Sequence, residues 1–220
     1  MKLNGLVIVG YPYAGKSEIA NELAKSISNA QVIDKSKYLT YIPLSLGYNE
    51  DDILENKSID DLIEDVHENK DSIDPDISRK YTRTETILFS DKLKKHFGKR
   101  SGYNHKVTDS LILPDKFPII AGPRYMETLV HYHNLGYGIV GLEMLNQQEL
   151  KKRSSDFTNL KQNGSPLEQI EMEKQYFDVE KMMYMIKNNQ SSKYKFIKTE
   201  NKLQDDIAKE IIKHYNLKEA

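Results

Sequence analysis

The chain has 220 residues, 38% of them hydrophobic and 30% charged, with a formal net charge of −1 and no cysteine. That length buries enough apolar surface to fold without a disulfide or metal, and the missing cysteines exclude thiol catalysis and Cys-ligated zinc or iron–sulfur sites. Near-neutrality argues against a nucleic-acid binder held by bulk charge.

No apolar run approaches the roughly 18 residues of a membrane span, and no signal-like segment precedes the first strand-like run, so a cytoplasmic protein off the membrane is expected. Charge is uneven along the chain. Residues 49–76 carry twelve acids against Lys57 and Lys70, and residues 79–106 carry nine bases against Glu85 and Asp91. Two readings stand: solvated helical faces that neutralise each other, or a basic surface for a phosphorylated substrate.

Strand-like and helix-like segments alternate. Leu3–Val9 reads as a buried parallel strand. Ile19, Leu23 and Ile27 then recur at helical spacing, and Gln31–Asp34 is a short second strand. Ser58 and Asp61 have the spacing of a capping box ahead of the stripe Ile59, Leu62, Ile63 and Val66. Arg83–Phe97 reads as a helix stopped by Gly98, Phe117–Ala121 as the third strand, and Pro123–Leu135 as a helix ending at Gly136. Gly138–Leu145 is the fourth strand. Asn146–Arg153 is helical and Ser154–Gly164 a polar loop. Ser165-Pro166-Leu167-Glu168 opens a helix expected to run to about Asn188. Tyr194–Lys198 and a helix marked by Leu203, Ile207, Ile211, Ile212 and Tyr215 complete the chain. This alternation implies a parallel sheet with right-handed crossovers.

Gly10-Tyr11-Pro12-Tyr13-Ala14-Gly15-Lys16-Ser17 fits the pattern G-x-x-x-x-G-K-[ST]. A loop of this kind turns its backbone N–H groups inward to cradle phosphate oxygens, and the next helix points its positive end at the same anion. Its lysine reaches the β- and γ-phosphates, and its hydroxyl ligates Mg²⁺. The match lies between a buried strand and an amphipathic helix, the context the motif requires. Gly10, Tyr13, Ala14, Gly15, Lys16, Ser17 and Glu18 are therefore expected to bind ATP.

With Gly10, Pro12, Gly15, Lys16 and Ser17 in place, the chain resembles the nucleotide-kinase branch of P-loop proteins. It is similar to archaeal and phage kinases like dephospho-CoA kinase and to deoxynucleoside monophosphate kinases. Tyr13 stands where that family commonly has glycine. The resemblance implies a three-layer α/β sandwich around a five-stranded parallel sheet, in one domain spanning 1–220. Residues 35–80 would form a helical acceptor-binding insertion and 150–166 a lid. It implies ATP and Mg²⁺ as cofactors and a nucleotide-like small molecule as acceptor, a nucleoside monophosphate or a dephospho-CoA-like molecule; no nucleic-acid partner is expected.

In those kinases the third strand ends in D-G-x-R, followed by an acid. Gly122, Arg124 and Glu127 match, and Ala121 replaces the aspartate. That aspartate normally serves the metal or acts as base. Asp34, at the end of the second strand, could supply the carboxylate and share the metal with Ser17, or it could cap the segment that follows. Glu143 is a weaker candidate. Arg83 matches an early arginine of the acceptor-side helix, with Lys94 or Lys95 loosely matching a later one; a surface salt bridge is the alternative for Arg83. Arg124 is expected to contact the acceptor and assist transfer. Arg153, in Lys151-Lys152-Arg153, matches a lid arginine that offsets transition-state charge, or it is an ordinary base at a helix end.

His131 and His133, two apart, do not form a metal pair on a helix. Met182, Met183 and Met185 read as adaptable core. The second functional class left open is an NTP-binding regulatory or interaction protein, favoured by Ala121 and the acidic segment. A GTPase-like switch is disfavoured because neither D-x-x-G nor N-K-x-D is present.

Overall fold

A computed structural model describes residues 2–74, 77, 80–98, 102–146, 148, 149 and 166–217. Five parallel strands form one sheet: β1 (Leu6–Gly10), β2 (Ala30–Asp34), β3 (Phe117–Ala121), β4 (Gly138–Glu143) and β5 (Tyr194–Lys198). Their spatial order is β2-β3-β1-β4-β5. Each connection is a crossover through helices, which cover both faces and give the three-layer α/β architecture. β1 is central and wholly buried, as its unbroken Leu-Val-Ile-Val run requires.

The strand ends carry the function-bearing positions. Ile8 of β1 is in register with Ala121 of β3. Asp34 of β2 is in register with that same Ala121. Gly10 is in register with Leu142 of β4. These four strands therefore end along one edge, where the Gly10–Ser17 loop begins.

The helices are α1 (Lys16–Ser26), α2 (Ile42–Ser45), α3 (Asp51–Leu54), α4 (Ile59–Asn69), α5 (Arg83–Phe97), α6 (Tyr103–Ser110), α7 (Met126–Asn134), α8 (Pro166–Tyr176), α9 (Val179–Asn188) and α10 (Gln204–Tyr215). A π-helical turn, Lys37–Tyr41, leads into α2. α1 and α10 pack together on one side of the sheet. Capping boxes start α4 (Ser58 with Asp61) and α5 (Thr82 with Glu85); the second lies outside the sequence reading above.

Four expectations need correction. The first strand begins at Leu6, not Leu3, and the fourth ends at Glu143, not Leu145. The helix after β3 begins at Met126 rather than Pro123. Gly122 has φ of +80° and Tyr125 is extended, so the segment between them cannot be helical. The expected single helix to Asn188 is two, broken at Phe177–Asp178. There the Asp178 N–H donates to the Arg124 carbonyl at 2.9 Å, and its carboxylate accepts the Met126 N–H at 3.1 Å. Buried Phe177 packs edge-on against Tyr125. Tertiary bonds thus take over from the helical ladder.

Met182 and Met183 are buried core residues, and Met185 packs against the core. The oppositely charged segments do meet. Lys92 of α5 pairs with Asp51 at 2.7 Å, and the His96 ring bonds the Lys57 carbonyl at 3.0 Å. Among the described residues, no helix is long and apolar enough to cross a membrane.

Candidate active site

The phosphate loop runs from Gly10 at the end of β1 to Lys16 at the start of α1. Gly10 is needed because a Cβ there would lie 2.5 Å from the Leu142 carbonyl oxygen on β4. The turn is made by two left-handed residues, Tyr13 (φ +63°) and Gly15 (φ +82°). Glycine adopts this conformation freely, whereas tyrosine is strained there. Tyr13 is anchored, because its hydroxyl donates to Gln169 Oε1 of α8 at 2.6 Å. Ala14 is buried, and its N–H donates to the Tyr11 carbonyl at 3.3 Å. Gly15 caps α1 without a side chain, so the first-turn N–H groups of α1 face the loop unclaimed by a capping side chain.

Lys16 folds back over this loop, its Nζ donating to the Tyr11 carbonyl at 2.7 Å. Desolvation, then the nearby Arg83 and Arg124, pull its pKa down to about 7. Glu18 is exposed in the first turn of α1, where the helix dipole favours an acid, and its charge supports the Lys16 ammonium. Ser17 Oγ donates to Asp34 Oδ2 at 2.7 Å. The other oxygen, Oδ1, accepts the Ser36 N–H at 2.9 Å. Both sequence readings of Asp34 therefore coexist: one oxygen holds the local turn and the other faces the loop hydroxyl.

Arg83, at the first position of α5, forms an ion pair with Glu173 of α8. It is not the surface salt bridge considered from sequence, because the Glu173 side chain is only 3% exposed. Among the described residues, Arg83 Nε is buried without a hydrogen-bond partner, and so is Gln169 Nε2. Arg124, following β3, donates to Ser90 Oγ at 3.0 Å and lies 4.8 Å over the Phe177 ring. Burial lowers the pKa of both arginines, and Arg124 lowers that of Arg83 further. Three cations, Lys16, Arg83 and Arg124, thus lie near one another beside the loop. Arg83 already has the Glu173 carboxylate, but Lys16, Arg83 and Arg124 still disfavour one another's charge, which a further anion would relieve.

The remaining sequence candidates are scattered. Glu143 ends β4 in register with Lys198 of β5. Lys94 lies 3.8 Å over the Tyr125 ring, and Lys95 pairs with Asp91. His131 bonds Asp109 and His133 bonds Tyr194. Arg153, Lys151 and Lys152, with nearly all of 150–166, lie outside the described residues.

Beside the loop, a pocket is lined by Lys35, Thr40, Ser90, Asn104, Gly122, Arg124 and Tyr125. A Cβ on Gly122 would sit 3.9 Å from Lys16 Cε, so the pocket opens toward the phosphate loop. Only the start of residues 35–80 contributes to it; α5, α6 and the β3 end supply the rest.

No family model matches the chain, and no curated protein matches it. A solved structure does: the chain is similar to a thymidylate kinase from Candida albicans, 15% identical over 98% of this chain and 94% of that one, with a TM-score of 0.41.

Lys35, Gln169, Glu173 and Asn104 were not picked out from sequence. Each is a polar residue that local patterning assigns to a solvated surface, yet each is buried. Tyr13 is the one available cue. A bulky side chain in a loop that favours glycine must find a partner, and Gln169 is that partner.

Proposed function

We propose that this chain is a P-loop kinase that transfers the γ-phosphoryl of ATP, with Mg²⁺, to a small nucleotide-like acceptor. One observation carries the reading. Lys16, Arg83 and Arg124 lie near one another beside the loop, next to a pocket that adjoins Lys16 through Gly122. A protein that only bound nucleotide would need the loop but not a second cationic wall with a pocket behind it.

The residues fit the implied groups. α1 offers first-turn N–H groups free of a capping side chain, and the partly desolvated Lys16 gains a counter-charge from phosphate. Ser17 and Asp34 would hold Mg²⁺, which when bound supplies positive charge to phosphate oxygens. Lys16 would leave the Tyr11 carbonyl to contact phosphate. Arg83 and Arg124 would fix the acceptor's anionic group. Asp34 is the carboxylate nearest the position that Ala121 leaves empty, one strand over in register. Phosphoryl transfer in such a site rests on positioning and charge neutralisation, for which these cations suffice. Arg153 and the 150–166 lid remain part of the proposal, as the source of a further arginine.

The test is ADP release from Mg-ATP across nucleoside monophosphates, their deoxy forms and dephospho-CoA, with Lys16→Ala as control. Acceptor-dependent ADP that disappears in the variant supports the kinase. ADP that never exceeds the variant's level while ATP still binds overturns it and leaves a nucleotide-binding protein.

A further inference from the structure

The acceptor pocket contains a charged group that the phosphoryl-transfer reading does not use. Lys35 follows Asp34 at the end of β2 and lines the pocket, yet it is only 4% exposed. Its ammonium has three donors. Among the described residues it makes one hydrogen bond, a long one of 3.4 Å to the Asn104 carbonyl. That carbonyl is shared, because it also accepts from Thr108 Oγ1 at 2.7 Å.

The carboxylate that acts most strongly on Lys35 is Asp109, and its oxygens are already taken. Oδ2 is held by the His131 ring at 2.8 Å and Oδ1 accepts from the Tyr132 hydroxyl at 2.7 Å. A buried amine with open donors is costly unless something fills them. Among the described residues, no pocket side chain fills them. Ser90 Oγ donates to the Thr86 carbonyl and accepts from Arg124, and Thr40 lies against Ser90.

The placement says which part of an acceptor Lys35 meets. Gly122 and Arg124 form the side of the pocket that adjoins Lys16, and Arg124 acts electrostatically on both lysines. An acceptor phosphate held by Arg124 toward the loop leaves the rest of the molecule facing Lys35 and Asn104. For a nucleotide acceptor that part is the nucleobase, and the open ammonium donors call for a hydrogen-bond acceptor on it.

We propose that Lys35 is a specificity-determining residue of the acceptor site, donating to a carbonyl oxygen of an oxo-nucleobase, so that the pocket selects guanine, thymine or uracil monophosphates over adenine monophosphate. This rests on the kinase reading above and goes one step beyond it. Adenine offers no carbonyl oxygen, and a site built to donate to one rejects the analogue that lacks it because the buried donor is left unpaired.

The experiment compares wild type, Lys35→Met and Lys35→Gln with dGMP, dTMP, dUMP and dAMP. It measures kcat/KM with Mg-ATP, equilibrium binding of each monophosphate without ATP, and thermal stability. Wild type is expected to favour the oxo-bases by at least about 10-fold. Lys35→Met is expected to lose about 10- to 100-fold on those three, with dAMP and the KM for ATP changed less than about twofold. Lys35→Gln, which keeps a donor, falls between. Melting of Lys35→Met should not drop, because an apolar side chain replaces a desolvated amine. A wild-type preference for dAMP, or variants that lose all four acceptors equally, overturns the proposal. If no acceptor raises ADP above the Lys16→Ala level, the kinase reading fails. The binding titrations then judge Lys35 separately, and equal affinities in wild type and both variants overturn its role.

Discussion

Glu173 of α8 is buried against the Arg83 guanidinium of α5, which ties the helix after the 150–166 segment to the cation cluster beside the phosphate loop. α8 makes a second such contact through Gln169 and Tyr13. One helix thereby fixes both the loop and Arg83. Removing one partner of a buried ion pair leaves the other without its counter-charge, a cost of several kcal/mol in buried settings. Arg83 retains some solvent contact, so Glu173→Gln should destabilise the protein by about 2–3 kcal/mol. Urea unfolding measures this. A loss under about 0.5 kcal/mol, the size of an exposed pair, would mean the carboxylate does not neutralise the cluster.

Lys16 gives a prediction in which activity and stability separate. Its ammonium is desolvated and sits among like charges, so the ligand-free protein is strained by it. Lys16→Met should lose at least about 100-fold in turnover, the scale of one lost electrostatic contact to the reacting group. Its melting temperature should stay level or rise. A variant that is both inactive and markedly less stable would show that Lys16 holds the loop closed through Tyr11 rather than serving phosphate.

The pH dependence follows from the same group together with Lys35. Both ammoniums are pulled from the ordinary lysine value of 10.5 to about 7 in the folded protein. Between those values the unfolded chain binds more protons than the folded one, so stability rises with pH. Below about 7 the penalty is constant. The buried tyrosines Tyr48, Tyr132 and Tyr215 oppose the trend near pH 10, because burial raises their pKa and the unfolded chain ionises first. Denaturant midpoints should therefore increase from pH 7 to about 9, and less steeply in Lys16→Met and Lys35→Met. Phosphate binding restores the Lys16 charge, so ATP binding near pH 8 should take up protons. Calorimetry in buffers of different ionisation enthalpy reads that uptake, and a zero value in wild type would contradict the desolvated ammonium.

The sheet and its phosphate loop were legible because their signals are local. A β-branched run, then G-x-x-x-x-G-K-S, then Ile19 and Leu23 at helical spacing specify strand, loop and helix without long-range information. The Ser58–Asp61 box was legible for the same reason. What escaped depends on pairs distant in sequence. Nothing near Glu173 or Gln169 marks them as buried, since Arg83 and Tyr13 arrive only when the chain closes. The break at Phe177–Asp178 was hidden likewise. The local sequence supports a continuous helix there, and it is the Arg124 carbonyl and the Met126 N–H that end it. Helix α6 has a polar, weakly periodic sequence, and its left-handed Gly102 cap is visible only in the backbone.

Asp178 offers the last prediction, because it does from a distance what a cap normally does locally. Its Oδ2 accepts the Met126 N–H at the start of α7, which Tyr125 at the cap position cannot do, and its own N–H holds the Arg124 carbonyl. Asp178→Ala removes the side-chain bond and keeps the backbone one. Loss of a helix cap costs about 1 kcal/mol, which for a chain of this size lowers the melting temperature by roughly 2–4 °C. Met126 immediately follows the Arg124–Tyr125 segment that lines the proposed acceptor pocket, so the frayed helix start should also raise the acceptor KM more than the KM for ATP. Asp178→Asn keeps an oxygen acceptor and should recover most of both effects. Equal losses in Asn and Ala would show that the carboxylate's charge, not its capping bond, positions Arg124.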